Sequence, residues 1–187
     1  EENAYSELLH MEALTIHSSD RSGASMPPLR YDDVERTLDD KSVDTFILEL
    51  PHREIGGKLT PWEDVLRIRA YCRDRGIRFH CDGARFFEAA AGYNKTLSEL
   101  AAPFDSVYIS FYKGLGGMAG AVLLGSTDFC AQARVWLRRF GGNLYTLLPY
   151  VVSGMTGYQR YWKSAEGVLS FNEKRQKMID TIKLLQS

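Results

Sequence analysis

The stretch Ile77-Arg78-Phe79-His80-Cys81-Asp82-Gly83-Ala84-Arg85 decides how this chain folds. Its first five residues read as a short strand, and Asp82 to Arg85 then turn into a helix. Working outward, the same alternation recurs. Upstream, Thr45 to Leu50 is an apolar, β-rich run that reads as a buried strand, and Pro51 to Gly57 is a loop. Thr60-Pro61-Trp62-Glu63 places an N-cap, with Pro at the first helical position, on a helix that runs to about Arg75 and ends at Gly76. Before these lie a helix over Asn3 to Leu14, a polar loop over Ser18 to Arg30 and a short amphipathic helix over Tyr31 to Asp40. Downstream, Ser106 to Phe111 reads as a third strand, Lys113 to Gly117 as a glycine-rich turn, Ala119 to Leu124 as a fourth strand and Asp128 to Phe140 as a helix. The tail from about Tyr150 to Gln186 is mostly helical, with Gly154 and Gly157 as weak points.

Strands alternating with helices at this spacing predict an α/β layer structure with a mainly parallel sheet and right-handed crossovers. The 187 residues, 44% hydrophobic and 25% charged, suit one folded domain and exclude disordered and collagen-like classes. Lys plus Arg total 23 against 24 for Asp plus Glu, so no charge excess argues for a nucleic-acid or membrane partner. Cys72, Cys81 and Cys130 form no CxxC and leave one thiol over in any disulfide scheme; free thiols in a reducing compartment are the simpler reading, and metal-ligand spacing is absent. There is no apolar run of membrane-spanning length and no signal pattern at the start, so a cytoplasmic protein is expected. The first residues fall inside a predicted helix with no initiator Met, which reads as a fragment.

Ligands of such sheets collect at the carboxyl ends of strands. Asp82, Lys113 and the loop holding His52 each follow a predicted strand, so three polar groups from distant sequence converge on one edge. Lys113 lies between two apolar β-like segments. A turn lysine pointing into water is the simpler reading of that segment alone, but a desolvated lysine amine forms imines with carbonyl compounds, and the glycines after it admit a bulky cofactor. Asp82 is either an N-cap with Arg85 as its surface partner or a carboxylate for a pyridinium nitrogen, and the two roles are compatible.

Four segments in order carry a specific resemblance. His80-Cys81-Asp82-Gly83-Ala84-Arg85 is similar to the H-x-D-G-A-R signature of threonine aldolases, and Tyr112-Lys113-Gly114-Leu115-Gly116, about thirty residues on, resembles their S-K-G-L-G lysine motif. Leu48-Glu49-Leu50-Pro51-His52 with Gly56-Gly57 resembles the E-N-T-H segment, and Arg139-Phe140-Gly141-Gly142 the later L-G-G segment. The chain thus resembles the threonine aldolase and β-eliminating lyase family, whose cofactor is pyridoxal 5'-phosphate (PLP). The resemblance implies a three-layer sheet with helices on both faces, the large PLP-binding domain over 1–187 in partial form, lacking an N-terminal segment and a small C-terminal domain. It implies that Lys113 is the Schiff-base lysine, that Asp82 pairs with the pyridinium nitrogen, that Arg85 binds the substrate carboxylate and that His52 sits near the substrate's β-hydroxyl as a general acid or base. His80, two residues before Asp82, shares its side of the strand and supports it. It implies too a lyase that cleaves the Cα–Cβ bond of a β-hydroxy amino acid to glycine and an aldehyde, working as a homodimer or homotetramer on a small-molecule substrate.

Two departures stand out. Tyr112 replaces the usual Ser beside the cofactor, which makes it a cofactor-binding candidate, and Tyr145 falls where the family has an arginine for the phosphate of a neighbouring subunit. They keep β-elimination on another amino acid open as an alternative. A non-catalytic truncated remnant is the alternative of a different class. Leu144 to Tyr150, apolar and aromatic, reads equally as subunit interface or core.

Overall fold

The structure, a computed structural model, describes residues 11–18, 26–163 and 170–186. Most of the expected opening helix lies outside them, and Met11 to Leu14 carry no helix. The elements that position the site are α1 (Tyr31–Leu38), β1 (Thr45–Glu49), α2 (Trp62–Asp74), β2 (Arg78–Gly83), α3 (Phe86–Tyr93) and α4 (Leu97–Ala101). They continue as β3 (Ser106–Ser110), β4 (Ala121–Gly125), α5 (Thr127–Arg139), α6 (Leu148–Gly157), a π-helical turn (Tyr158–Trp162) and α7 (Phe171–Gln186).

The four strands form one sheet in the order β1-β2-β3-β4. β1, β2 and β3 are parallel, each joined to the next by helices, whereas β4 returns antiparallel to β3. The link from Phe111 to Gly120 is too short to carry a helical crossover, and it closes with a Phe111 N–H to Gly120 O bond of 2.9 Å. The sheet is therefore mainly parallel, as expected.

Strand periodicity divides the two faces. Phe46 and Leu48 of β1, Phe79 and Cys81 of β2, and Val107 and Ile109 of β3 are buried on one face. They pack in one cluster with Val34 of α1, Val65 and Ile68 of α2, and Phe86 and Ala90 of α3. The other face is more open: Ile47 is 56% exposed, and His80, Asp82 and Tyr108 are half-buried.

Three local expectations change. α2 begins at Trp62 with Pro61 as its N-cap. Thr60 is no cap, because it is fully buried with its hydroxyl 3.0 Å from His52 Nε2. β2 continues through Asp82 and Gly83, which pair with Tyr108 and Ile109 of β3, so Asp82 sits inside the strand end rather than in the turn after it. Gly154 and Gly157 are docking points as well as weak points, since α6 ends at Gly157 and the π-helical turn begins directly after it. A Cβ at Gly157 would collide with the Leu115 carbonyl oxygen, and one at Gly154 would lie 3.2 Å from the Phe111 ring. These two glycines let α6 lie directly on the β3–β4 turn.

Candidate functional site

Asp82 lies on the open face in a polar row across the sheet, with Glu49 of β1 on one side and Tyr108 of β3 on the other. Its Oδ1 accepts the Ala84 N–H at 3.0 Å, and its second oxygen has no hydrogen-bond partner among the described residues. Asp82 is not an N-cap: that position of α3 belongs to Arg85. Burial, with the Asp82 charge adding to it, pushes the Glu49 carboxyl above the usual range, against the opposing pull of the Arg53 N–H and of the Arg53 and Arg85 charges. His80 shares the face, but its Nδ1 pairs with Ser106 Oγ at 2.7 Å rather than with Asp82. Burial pushes its imidazole toward the neutral form, although the Asp82 charge opposes this.

Beyond Tyr108, the row reaches the lysine turn. The Tyr108 and Tyr112 hydroxyls are 3.3 Å apart, and Lys113 Nζ lies 5.8 Å from the centroid of the Tyr112 ring. Lys113 is half-buried in a turn closed by the Gly116 N–H to Lys113 O bond at 2.9 Å. The turn is fixed from two sides, by α6 through Gly154 and Gly157 and by α3, whose Glu88 carboxylate rests on Gly114. Ser110 Oγ donates to Ala84 O at 2.6 Å, which ties the end of β3 to the segment after Asp82. A lysine held on a turn packed this way has a defined place at the carboxyl end of the parallel strands.

Arg85 makes no ion pair within 4 Å among the described residues, although its charge acts on both Glu49 and Glu88. It is a guanidinium with its binding capacity unspent. His52 comes from the loop after β1, which is held beside β2 by the Leu50 N–H to Asp82 O bond at 3.0 Å. Burial keeps its imidazole toward the neutral form, and its Nε2 is engaged by Thr60 Oγ1, so only Nδ1 remains to face another group. Tyr112 is 47% exposed next to Lys113, and Tyr145 is fully exposed and touches none of these residues. Asp82, Tyr112 and Lys113 thus form one connected arrangement, with Arg85 and His52 at its margin on adjacent segments.

The sequence profile of the beta-eliminating lyase family matches residues 5 to 186. The chain belongs to the threonine aldolase and beta-eliminating lyase family. A Listeria monocytogenes protein provisionally assigned as an L-allo-threonine aldolase is 38% identical, with a TM-score of 0.77, over 89% of this chain and 46% of that one. An Exiguobacterium protein provisionally assigned as an aromatic amino acid beta-eliminating lyase/threonine aldolase is 45% identical, with a TM-score of 0.74, over 84% and 42%. The low specificity L-threonine aldolase of Saccharomyces cerevisiae is 32% identical over 58% of this chain and 28% of its own length. This beta-eliminating lyase family chain therefore spans less than half the length of each of these relatives.

The sequence motifs include Glu49 without giving it a role, and they leave out Glu88 and Tyr108. Glu88 had a signal: it is the one charged side chain in the otherwise apolar helix Phe86–Tyr93. Tyr108 was visible only through register, since nothing in the strand itself places it opposite Asp82.

Proposed function

We propose that this chain carries the core of a PLP site and that the protein is a lyase cleaving the Cα–Cβ bond of a β-hydroxy amino acid to glycine and an aldehyde. The observation that carries the reading is Asp82: a carboxylate on the open face of a buried strand end, with one oxygen held by Ala84 N–H and the other unpartnered. That donor set fits a protonated pyridine nitrogen. When bound, PLP supplies an electron sink for the pair released at the substrate's α-carbon.

The chain's own residues do the rest. Lys113 attaches the cofactor, and the packing of its turn fixes the direction of approach. Arg85, with its guanidinium unpaired, takes the substrate carboxylate and so orients the bond to be broken. His52, neutral and held at Nε2 by Thr60, offers Nδ1 for a proton at the substrate's β-hydroxyl. Tyr112, beside Lys113, lies where it can touch the cofactor, and the whole chain reads as part of the large PLP-binding domain. The exposed apolar side chains of Leu144, Leu147 and Leu148 support a homodimer or homotetramer, and the three free cysteines support a reducing, cytoplasmic setting. No helix among the described residues is long and apolar enough to cross a membrane.

The Tyr108–Tyr112 pair favours a second reading on the same residues, β-elimination from another amino acid. The Tyr112 hydroxyl, 3.3 Å from that of Tyr108, the strand neighbour of Asp82, stands where a small Ser is usual before the lysine, which changes the space and the hydrogen bonds available to a substrate side chain. Addition of PLP to the purified protein tests both readings. A yellow absorption band that is absent in Lys113→Ala, with cofactor mapped to Lys113 after borohydride reduction, is the expected result. Glycine plus aldehyde from a β-hydroxy amino acid then separates aldol cleavage from elimination, which yields a keto acid and ammonia. A band that persists in Lys113→Ala, or no band at all, defeats the assignment and brings forward the non-catalytic remnant.

A further inference from the structure

Glu88 is a largely buried carboxylate beside the lysine turn that this reading leaves unused. Glu88 is the lone charge in the apolar helix α3, and its Oε2 is shut off from solvent with no hydrogen-bond partner. A buried polar atom without a partner is uncommon in a folded chain and calls for an explanation. Gly114 supplies the location. A Cβ there would lie 2.7 Å from Glu88 Cδ and 2.8 Å from Oε2, so the carboxylate occupies the space that a side chain at 114 would fill. A side chain at 114 would have to displace this carboxylate, and the residue before it is Lys113.

The charges facing Glu88 come from three elements: Arg85 on its own helix, Lys113 on the β3–β4 turn and Lys174 on α7. Burial raises the Glu88 carboxyl above the usual range, while its own backbone N–H and these three cations pull it down. Lys174 has other company, with Nζ 4.6 Å from the Tyr161 ring centroid and 5.7 Å from that of Phe171. Arg85 is the guanidinium assigned to substrate. Lys113 is the cation whose own turn the carboxylate touches, with the two charged groups more than 4 Å apart in this structure.

We propose that Glu88 is a positioning residue for Lys113: its carboxylate, seated behind the Gly114 turn, supplies the negative charge that favours the lysine's ammonium form whenever the amine is uncommitted. The inference rests on the reading of Lys113 as the reactive lysine. It explains why a charge is kept inside an apolar helix, and why glycine stands directly after the lysine although no positive φ requires it there.

The test uses no cofactor. The purified protein is labelled at pH 8 with trace acetic anhydride, and each lysine is read by peptide mass spectrometry in wild type, Glu88→Gln and Glu88→Asp. An opposite charge close by favours the charged form of an amine. Its loss in Glu88→Gln therefore raises labelling of Lys113 about three- to tenfold, while Lys174 and the surface lysine Lys41 keep their wild-type rates and Glu88→Asp stays near wild type. Wild-type labelling of Lys113 in folded Glu88→Gln overturns the proposal, as does a rise confined to Lys174. If Glu88→Gln does not fold, the carboxyl carbon of Glu88 is titrated by NMR in wild type and in Lys113→Ala. Its midpoint moves up when Lys113 is removed; an unmoved midpoint overturns the pairing. Failure of PLP to attach to Lys113 would defeat the proposed function without touching this result, and normal attachment with unchanged labelling would defeat the pairing alone.

Discussion

Replacing Gly83 with alanine puts a methyl group where the structure has no room for one, directly behind Asp82. Gly83 pairs with Ile109 of β3, and a Cβ there would lie 2.6 Å from the Tyr108 carbonyl oxygen, 2.6 Å from Phe86 Cδ2 and 3.2 Å from Phe86 Cβ. Ordinary contact begins near 3.4 Å, so the neighbours must yield about 0.8 Å. Neither yields easily. The Tyr108 oxygen is backbone in a paired strand, and Phe86 is only 1% exposed in the core. Overpacking on this scale costs about 1–3 kcal/mol, partly offset by about 0.4–1 kcal/mol from the lower entropy of the unfolded alanine chain. The net loss of about 1–2 kcal/mol lowers Tm by roughly 2–8 °C in a domain of this size.

Gly92 is the control. Its added Cβ would lie 2.5 Å from Leu59 Cδ1, the free end of a half-buried side chain that can swing aside, and it sits in helix α3, where alanine is better than glycine by about 0.5–1 kcal/mol. Calorimetry on both variants, with urea unfolding as a second measure, compares them directly. Gly83→Ala should melt lower and Gly92→Ala at or above wild type. Equal melting of the two, or a Gly83→Ala protein within 1 °C of wild type, would show that β2 and β3 are not packed as described.

Two further outcomes are expected. Asp105 accepts the Arg69 guanidinium and the Phe79 N–H, both at 2.8 Å, and although burial alone would raise its carboxyl, these partners hold it below the usual range. Its contribution is present above the unfolded carboxylate value and is lost as pH falls through the folded one. Asp105→Asn should therefore cost about 2 kcal/mol near neutral pH and much less near pH 2, as read by urea unfolding; an equal cost at both pH values would remove the charge from the explanation. Thiol titration should show one accessible cysteine, Cys130, because Cys72 and Cys81 are fully buried and burial pushes their thiols up, Cys72 to about 11. Prompt reaction of two or three thiols in the folded protein would contradict the buried positions.

The alternation of strands and helices was legible because each apolar run has a length and a turn signal of its own. Ser106 to Phe111 and Thr45 to Leu50 were each placed to within one residue of the observed strands. The misreadings share a cause. Thr60 looks like a cap, and Gly154 and Gly157 look like no more than weak points of a helix by local propensity, but each meets a partner distant in sequence: His52 for Thr60, Phe111 for Gly154 and Leu115 for Gly157. Tertiary contact overrides propensity at such places. Lys113 and Asp82 were found through motif, whereas Glu88 belongs to no motif and became visible only when Gly114 showed what fills its empty side.

The same physical rule that builds the core also places the polar groups. Along β2, burying Phe79 and Cys81 against the helices sends His80 and Asp82 to the opposite face, because successive strand residues alternate. Parallel register then sets Glu49 and Tyr108 on either side of Asp82 without any requirement on the residues between. A slip of one residue would turn Asp82 into the core and Cys81 toward Tyr108. The core therefore enforces the geometry of the carboxylate, and a substitution that loosens the β2–β3 pairing should disturb the site before it unfolds the chain. That is why the Gly83→Ala protein is the informative one: its strain falls between those two strands, at the residue next to Asp82.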